Sequence, residues 1–414
     1  MTQNRILRNL DNPEILEELY RHDTRNFHGW FQEAVQECPD SDVLKTWRAR
    51  LSYGERETHQ ASIRRLVTVI FISLAALFLI KLPDFTPINE SWFDTRFEIL
   101  IVIGSVFVYF ICFSMASLSL KFRTAVGFMG CIVVMGLMPE MPQSASLTMS
   151  KIHLPLVLFS LLAMLYMADE WKNPEARVRY IRFIGEVLIY AILIVIGGII
   201  LSLLTYSLFN LINLSIDWYG DYVVVWGLVS APLVATYVYD TILNRDSRLT
   251  TLFANIFAPL VLIIVIGYLL MMAYTQKSPF SDRDFLVTLN GLLIVVWGIT
   301  ALSIIGRKYS FFPRITDPVN IALVGVTLII NIIALAALSF RFVEFGVTPN
   351  RIAALGVNLL IFGHLIEILR AYLRQYKSIN DGDFLVSTIA NYLPIYSLWS
   401  VFVVFFLPLL FWFR

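Results

Sequence analysis

Charge is scarce in this chain. Across 414 residues, Asp, Glu, Lys and Arg together make up 15%, against roughly 25% in soluble proteins. The 32 basic and 31 acidic residues nearly cancel, leaving a net charge of +1. That balance excludes a strongly basic nucleic-acid binder, so no nucleic acid is expected as a partner. Cysteine is rarer still. Cys38, Cys112 and Cys131 make no disulfide framework and read as free thiols. No glycine-rich phosphate loop, His-Glu-x-x-His, Cys-x-x-Cys or Gly-x-Ser-x-Gly pattern occurs, so nucleotide hydrolysis by a P-loop, a metal centre and a serine-hydrolase elbow are not expected. No cofactor or catalytic residue is assigned, and the chain does not read as an enzyme. There is no secretory signal: the first 60 or so residues are polar, and the first apolar run starts near Leu66.

Hydrophobic residues make up 57% of the chain, gathered into runs. About 20 apolar residues in a helix cross the hydrocarbon of a bilayer. Eleven candidate spans follow: 66–82, 98–120, 124–141, 152–168, 183–208, 222–242, 252–274, 285–306, 319–340, 352–373 and 391–413. The expected fold is all-α: a polytopic transmembrane helical bundle over 64–414, preceded by a small cytoplasmic helical domain over 1–63. The lipid bilayer is then the main partner.

In that first domain, Asn12 followed by Pro13 is an N-cap with proline in the first turn, and Glu14, Glu17 and Glu18 favour the same helix start. Phe27, Trp30, Phe31 and Val35 fall on one face of a second helix. Ser41 or Asp42 caps a third, with Val43, Leu44, Trp47 and Leu51 along its face. The aromatic stripe is either the core of this domain or a groove for a protein partner at residues 1–63.

Loop charge orients the spans. With the N-terminus inside, fourteen basic residues fall in inner loops: Lys121, Arg123, Lys172, Arg177, Arg179, Arg182, Arg245, Arg248, Arg307, Lys308, Arg314, Arg370, Arg374 and Lys377. Seven fall outside: Lys81, Arg96, Lys151, Lys277, Arg283, Arg341 and Arg351. The third run is short and contains glycine. Were it re-entrant, every later loop would change sides, so the charge bias argues that it crosses. Val224-Val225-Trp226-Gly227 recurs as Val295-Val296-Trp297-Gly298, which reads as either a hairpin duplication or chance likeness between apolar helices.

Ionisable side chains within spans are costly and therefore functional candidates. His364, Glu367 and Arg370 repeat every third residue on the tenth span, one face leading inward from the cytoplasmic end. They form either a polar track or an interfacial Glu367–Arg370 pair beside a histidine bonded to a neighbouring helix. Glu186 on the fifth span lies at matching depth and is expected either to reach that pair or to snorkel. Asp240 near the inner end of the sixth span is similar. Asn290, Asn331 and Asn358 read chiefly as hydrogen-bonding glue between helices.

At the outer face, Arg341, Glu344, Gly346, Thr348, Pro349, Asn350 and Arg351 describe a tight helical hairpin. Gly346 suits a left-handed helix end, Thr348 an N-cap and Pro349 the first turn of the next helix. Arg341, Glu344 and Arg351 are expected to pair across the turn. The acidic pairs Asp169-Glu170 and Asp381-Gly382-Asp383 are the sole hint of a lipid-handling enzyme, and the second reads as a turn.

Phe345-Gly346-Val347-Thr348-Pro349-Asn350-Arg351 resembles the aromatic-Gly-x-Thr-x-Asn-Arg turn of a family of bacterial multi-pass membrane proteins, the domain of unknown function 4153 family, with Phe345 standing where tyrosine is usual. The region of Phe27 to Phe31, with Trp47-Arg48-Ala49-Arg50-Leu51, is similar to a segment preceding the spans in some members. The resemblance implies a bacterial inner-membrane protein and brings no activity or cofactor. The architecture points first to a transporter or permease-like protein without its own ATPase, its substrate meeting His364 and Glu367 between spans five, six and ten. The alternative is a membrane-anchored sensor or scaffold whose first domain binds a partner.

Overall fold

A computed structural model describes residues 5–22, 24–39, 41–141, 143–245, 247–275, 283–307, 310, 313–377 and 382–414, apart from the side chains at 22, 24–26, 28, 52–62, 273, 275, 283–286, 313–314, 376–377 and 382–383. The described residues contain helices and no strand. They divide into two compact units, Met1–Thr68 and Val69–Arg414.

In the first unit, α1 (Pro13–His22), α2 (Thr24–Glu37) and the beginning of α3 (Asp42–Ile80) enclose a small core. The Asn12 side chain accepts from the Ile15 backbone N–H at 3.5 Å, at the expected helix start. Phe27, Phe31, Leu44 and Trp47 are buried together, with Trp30 half-buried at the edge. Tyr20, Phe27 and Trp47 meet with ring centroids 5.1–5.7 Å apart. The aromatic stripe is therefore interior, the first of the two expected alternatives. On the surface, Glu17 pairs with Arg50 at 2.6 Å and Arg21 at 2.8 Å. These guanidinium hydrogen bonds, Arg50 first, hold the Glu17 carboxyl below its usual range.

The division between units falls between residues 68 and 69, close to the expected 63, and lies within α3, one helix of 39 residues. Its polar and apolar halves are both good helix formers, and no Pro or Gly cluster separates them.

Eleven stretches of the described residues are long and apolar enough to cross a membrane: Ile63–Ile80, Glu90–Phe113, Leu118–Leu137, Ala145–Glu170, Pro174–Leu211, Tyr219–Ile242, Leu249–Met272, Val287–Gly306, Ile315–Phe345, Pro349–Gln375 and Phe384–Leu410. The chain is an all-α, multi-pass membrane protein. A short helix α4 (Leu82–Phe85) leads into α5 (Glu90–Phe113), α6 (Leu118–Leu137), α7 (Ala145–Met167) and α8 (Pro174–Leu211). Next come α9 (Val225–Tyr237), which has π-helical turns at both ends, α10 (Leu249–Thr275) and α11 (Arg283–Gly306). After α12 (Pro313–Phe345) and α13 (Pro349–Lys377), the last span is segmented into α14 (Gly382–Asn391), α15 (Leu393–Val401) and α16 (Leu407–Leu410).

Several expected boundaries move, three of them with a clear local cause. The second span ends at Phe113, not 120, because Ser114–Ser117 is extended. The fifth begins at Pro174, since Asn173 caps the helix by accepting from Glu175 N at 3.0 Å. The last begins before residue 391, because α14 belongs to it. The third run is a full helix of 20 residues. Its N-terminus is held by Asp169, which accepts from the Ser117 amide at 3.2 Å and hydroxyl at 3.0 Å. Buried Arg96 donates to the Met135, Met138 and Pro139 carbonyls at 2.8, 2.7 and 3.3 Å, closing its C-terminus. An anion at the N-terminus and a cation at the C-terminus both oppose the helix dipole favourably.

Candidate functional site

The charged residues singled out in the spans do not gather into one track. Glu186 is fully buried on α8. Its carboxylate accepts from the Thr250 backbone N–H at 2.9 Å and the Ser247 hydroxyl at 2.6 Å. It therefore caps the N-terminus of α10, where free amides and the helix dipole favour an anion. Neither expected alternative holds: the carboxylate makes no contact with Glu367 and Arg370, and, being buried, it does not snorkel. Asp240 accepts from Arg245 Nε at 2.6 Å and from the Tyr109 hydroxyl at 2.7 Å, which fastens the loop between α9 and α10. Glu367 and Arg370 pair with each other at 2.6 Å, both partly exposed.

His364 is buried and bonded to neighbouring helices beside the Glu367–Arg370 pair, the second of the two expected arrangements, but the neighbours are not spans five and six. The Trp297 indole N–H on α11 donates to its Nδ1 at 3.1 Å, and the Tyr396 hydroxyl on α15 lies 3.1 Å from the same nitrogen. The Tyr392 ring stacks on the imidazole at a centroid distance of 4.0 Å. Because indole nitrogen only donates, Nδ1 is the acceptor and the ring proton sits on Nε2. His364 thus joins spans eight, ten and eleven, and spans five and six take no part in these bonds. The two Val-Val-Trp-Gly segments differ in setting: Trp297 is this donor, whereas Trp226 leaves its buried N–H without a partner.

The outer hairpin forms as expected at its turn. Gly346 has φ +78°, Pro349 opens α13, and the Arg351 amide lies 3.4 Å from the Thr348 hydroxyl. The expected ion pairs between Arg341, Glu344 and Arg351 do not form. Arg351 instead donates to the Phe345 and Gly346 carbonyls at 2.7 and 2.6 Å and lies over the Phe345 ring. It satisfies the carbonyls that α12 leaves free at its end. Asn350 leaves its buried side-chain oxygen unpartnered, as does Nε of Arg341. Of the acidic pairs, Asp169 holds α6 and Glu170 pairs with Arg179 at 2.6 Å. Asp381 and the Asp383 side chain lie outside the described residues.

The concentration of unsatisfied polarity lies elsewhere, on α12. Asp317, Asn320, Thr327 and Asn331 follow one another at intervals of three, seven and four, which is one helix face. Asn320, Thr327 and Asn331 are almost completely buried. From Asp317 to Asn331 the stripe covers about 21 Å at 1.5 Å per residue, most of a hydrocarbon core of about 30 Å. Asn331 donates to the Asn358 carbonyl at 3.2 Å, and the Asn358 amide donates to Asn290 at 3.0 Å, the expected glue between helices. Much of the stripe is unsatisfied. One Asp317 oxygen, both Asn320 amide atoms and the Asn331 side-chain oxygen are buried without a hydrogen-bond partner. The Tyr372 hydroxyl on α13 stands beside Asn320 and Asp317 as their polar neighbour. An orphaned buried polar group costs roughly 1–3 kcal/mol.

At the end of the stripe near the basic loops, a cavity of about 330 Å³ lies between α10, α11 and α12. Asn255, Ser303 and Asn320 line it together with Thr316, whose hydroxyl bonds Ser310, and with apolar side chains. Asn255, Ser303 and Asn320 bring side-chain polar atoms that lack partners. Sequence reading misses Asn255, Ser303 and Asn320 because it ranks charge above amides and hydroxyls. The spacing along 317–331 is the signal that could have found the stripe.

Among the described residues no group of three or more His, Cys, Asp or Glu side chains could hold a metal ion. Comparison of the chain with protein-family models, with curated proteins and with solved structures found no match.

Proposed function

We propose that this protein is a membrane transporter without a nucleotide-driven motor of its own, and that it carries an uncharged hydrogen-bonding group along the α12 stripe. One observation supports the reading above others: a buried face that traverses most of the hydrocarbon while leaving donors and acceptors open at Asn320 and Asn331. A purely structural interface of this length would lose stability by leaving them open, whereas a path for cargo needs free partners along its length. His364 and Glu367 are not the route in this reading. His364 fixes α11 and α15 against α13.

Reconstitution into liposomes tests the proposal with two neutral probes. Glycerol entry is followed by vesicle swelling, and a fluorescent monoacylglycerol by bleaching with a membrane-impermeant reductant. Movement of either probe above protein-free vesicles, reduced in Asn331→Leu, supports transport. Movement of neither sinks it.

The positive-inside bias supports an inner-membrane protein with its basic loops and residues 1–63 in the cytoplasm. Membership of the domain of unknown function 4153 family is likewise proposed. Its support is that four of the hairpin motif residues play a mechanical part. Phe345 lies under the Arg351 guanidinium, Gly346 takes the positive φ, Thr348 is the cap and Arg351 holds the terminal carbonyls.

A further inference from the structure

The cavity at Asn320 opens in an informative direction. Its exposed rim is Ile256 on α10 and Ile315 on α12. Both are apolar; Ile256 lies within the stretch Leu249–Met272 and Ile315 opens the stretch Ile315–Phe345, so the mouth lies toward the end of the spans nearest the basic loops and is flanked by apolar side chains. Inside, Asn255, Ser303 and Asn320 supply unpartnered donors and acceptors, and none of the nine lining residues is ionisable.

We propose that this cavity binds the uncharged polar head of a membrane amphiphile, such as a long-chain alcohol or a monoacylglycerol, that enters sideways from the bilayer with its chain trailing between Ile256 and Ile315. A hydroxyl both donates and accepts, and so complements the Asn320 amide and the Ser303 hydroxyl. A carboxylate or ammonium would leave water for a pocket that offers no counter-charge, which disfavours charged congeners. Asn320 is fully buried within this stripe; its polar neighbour is the Tyr372 hydroxyl on α13, and its amide makes no hydrogen bond to α10 or α11 across the cavity. The proposal deepens the transport reading by naming the cargo class, and its binding step is measured apart from transport.

The test uses the full chain in phosphatidylcholine nanodiscs with dodecan-1-ol carrying a mid-chain diazirine. After illumination, label is expected on the α10 segment around Asn255–Pro259 and the α12 segment around Ile315–Asn320. Unlabelled dodecan-1-ol should suppress it several-fold, while dodecane and dodecanoate should not. Asn320→Leu should lose the saturable labelling. Because it removes orphan polar atoms, its unfolding temperature should be no lower than that of the parent chain. Ser303→Ala, a milder change in a helix, should weaken labelling in the same direction and stands in if Asn320→Leu does not fold. Label spread evenly over lipid-facing segments, equal suppression by dodecane, or undiminished labelling in both variants would overturn the site. Saturable labelling in a protein that moves neither probe across a bilayer keeps the site and removes the transport reading. Transport without saturable labelling does the reverse.

Discussion

The Trp297 indole N–H donates to Nδ1 of His364 at 3.1 Å, joining spans eight and ten at a buried point. The bond fixes the neutral tautomer and the ring plane, and Tyr392 stacks on that plane. Trp297→Phe keeps the bulk and removes the donor, so it should cost about 1 kcal/mol of stability. His364→Ala also removes a packed ring and should cost about 2–4 kcal/mol. Thermal unfolding in detergent of both singles and the double should show less than additive loss, since the two share one interaction.

Glu186 is the anionic cap of α10. Glu186→Ala should leave the Thr250 amide and Ser247 hydroxyl open and cost about 1–3 kcal/mol. Glu186→Gln keeps an acceptor and should cost less. Protease cleavage after Arg245 and Arg248 is a direct readout: the loop should be cut faster in Glu186→Ala, and unchanged cutting would argue against capping.

Gly356 lets α13 approach Trp399 so closely that an added Cβ would overlap the indole ring. Gly356→Ala should therefore destabilise by about 1–3 kcal/mol through overpacking. Adding Trp399→Leu should restore part of the loss. Thermal unfolding that shows no such rescue would place the strain elsewhere.

Arg351 and Gly346 together end α12. Arg351→Ala frees the Phe345 and Gly346 carbonyls, and Gly346→Ala forces a side chain to φ +78°, a cost of about 1 kcal/mol. Amide exchange across residues 341–351 should quicken in both variants. Arg351→Lys should be intermediate, since an ammonium cannot reproduce the planar fork.

Glu17 offers a pH test in the first unit. The guanidinium hydrogen bonds from Arg50 and Arg21 lower its folded pKa. The stabilisation from a lowered carboxylate is complete above the unfolded value of about 4.3 and is lost as pH falls through the lower folded value. A fluorotryptophan resonance at Trp47, in the full-length chain, should report loosening in that acidic window. Glu17→Gln should remove this pH dependence.

Much of the architecture is legible in the residues alone. The eleven runs, the N-cap at Asn12 and the Gly346–Thr348–Pro349 turn follow from local rules of burial and backbone geometry, and the fold contains them. The differences concern partners. Depth alone matches Glu186 to Glu367 and Arg370, but depth does not say which helix lies alongside. Charge alone pairs Arg341, Glu344 and Arg351, but the nearest need of Arg351 is a pair of open carbonyls. Asn320 escapes notice because an amide in an apolar run looks the same whether its partner is a neighbouring helix or nothing.

What the sequence decided alone was the solvent: runs this apolar and this long must satisfy their amides within single helices, and loop charge biases their direction. What only tertiary structure decided was which helices pack side by side. That arrangement made helix caps of Arg96, Glu186 and Arg351, buried the Phe27–Trp47 stripe as a core, and left Asn320 facing a cavity. Contacts between residues distant in the chain depend on the packing of whole helices, which no local pattern encodes.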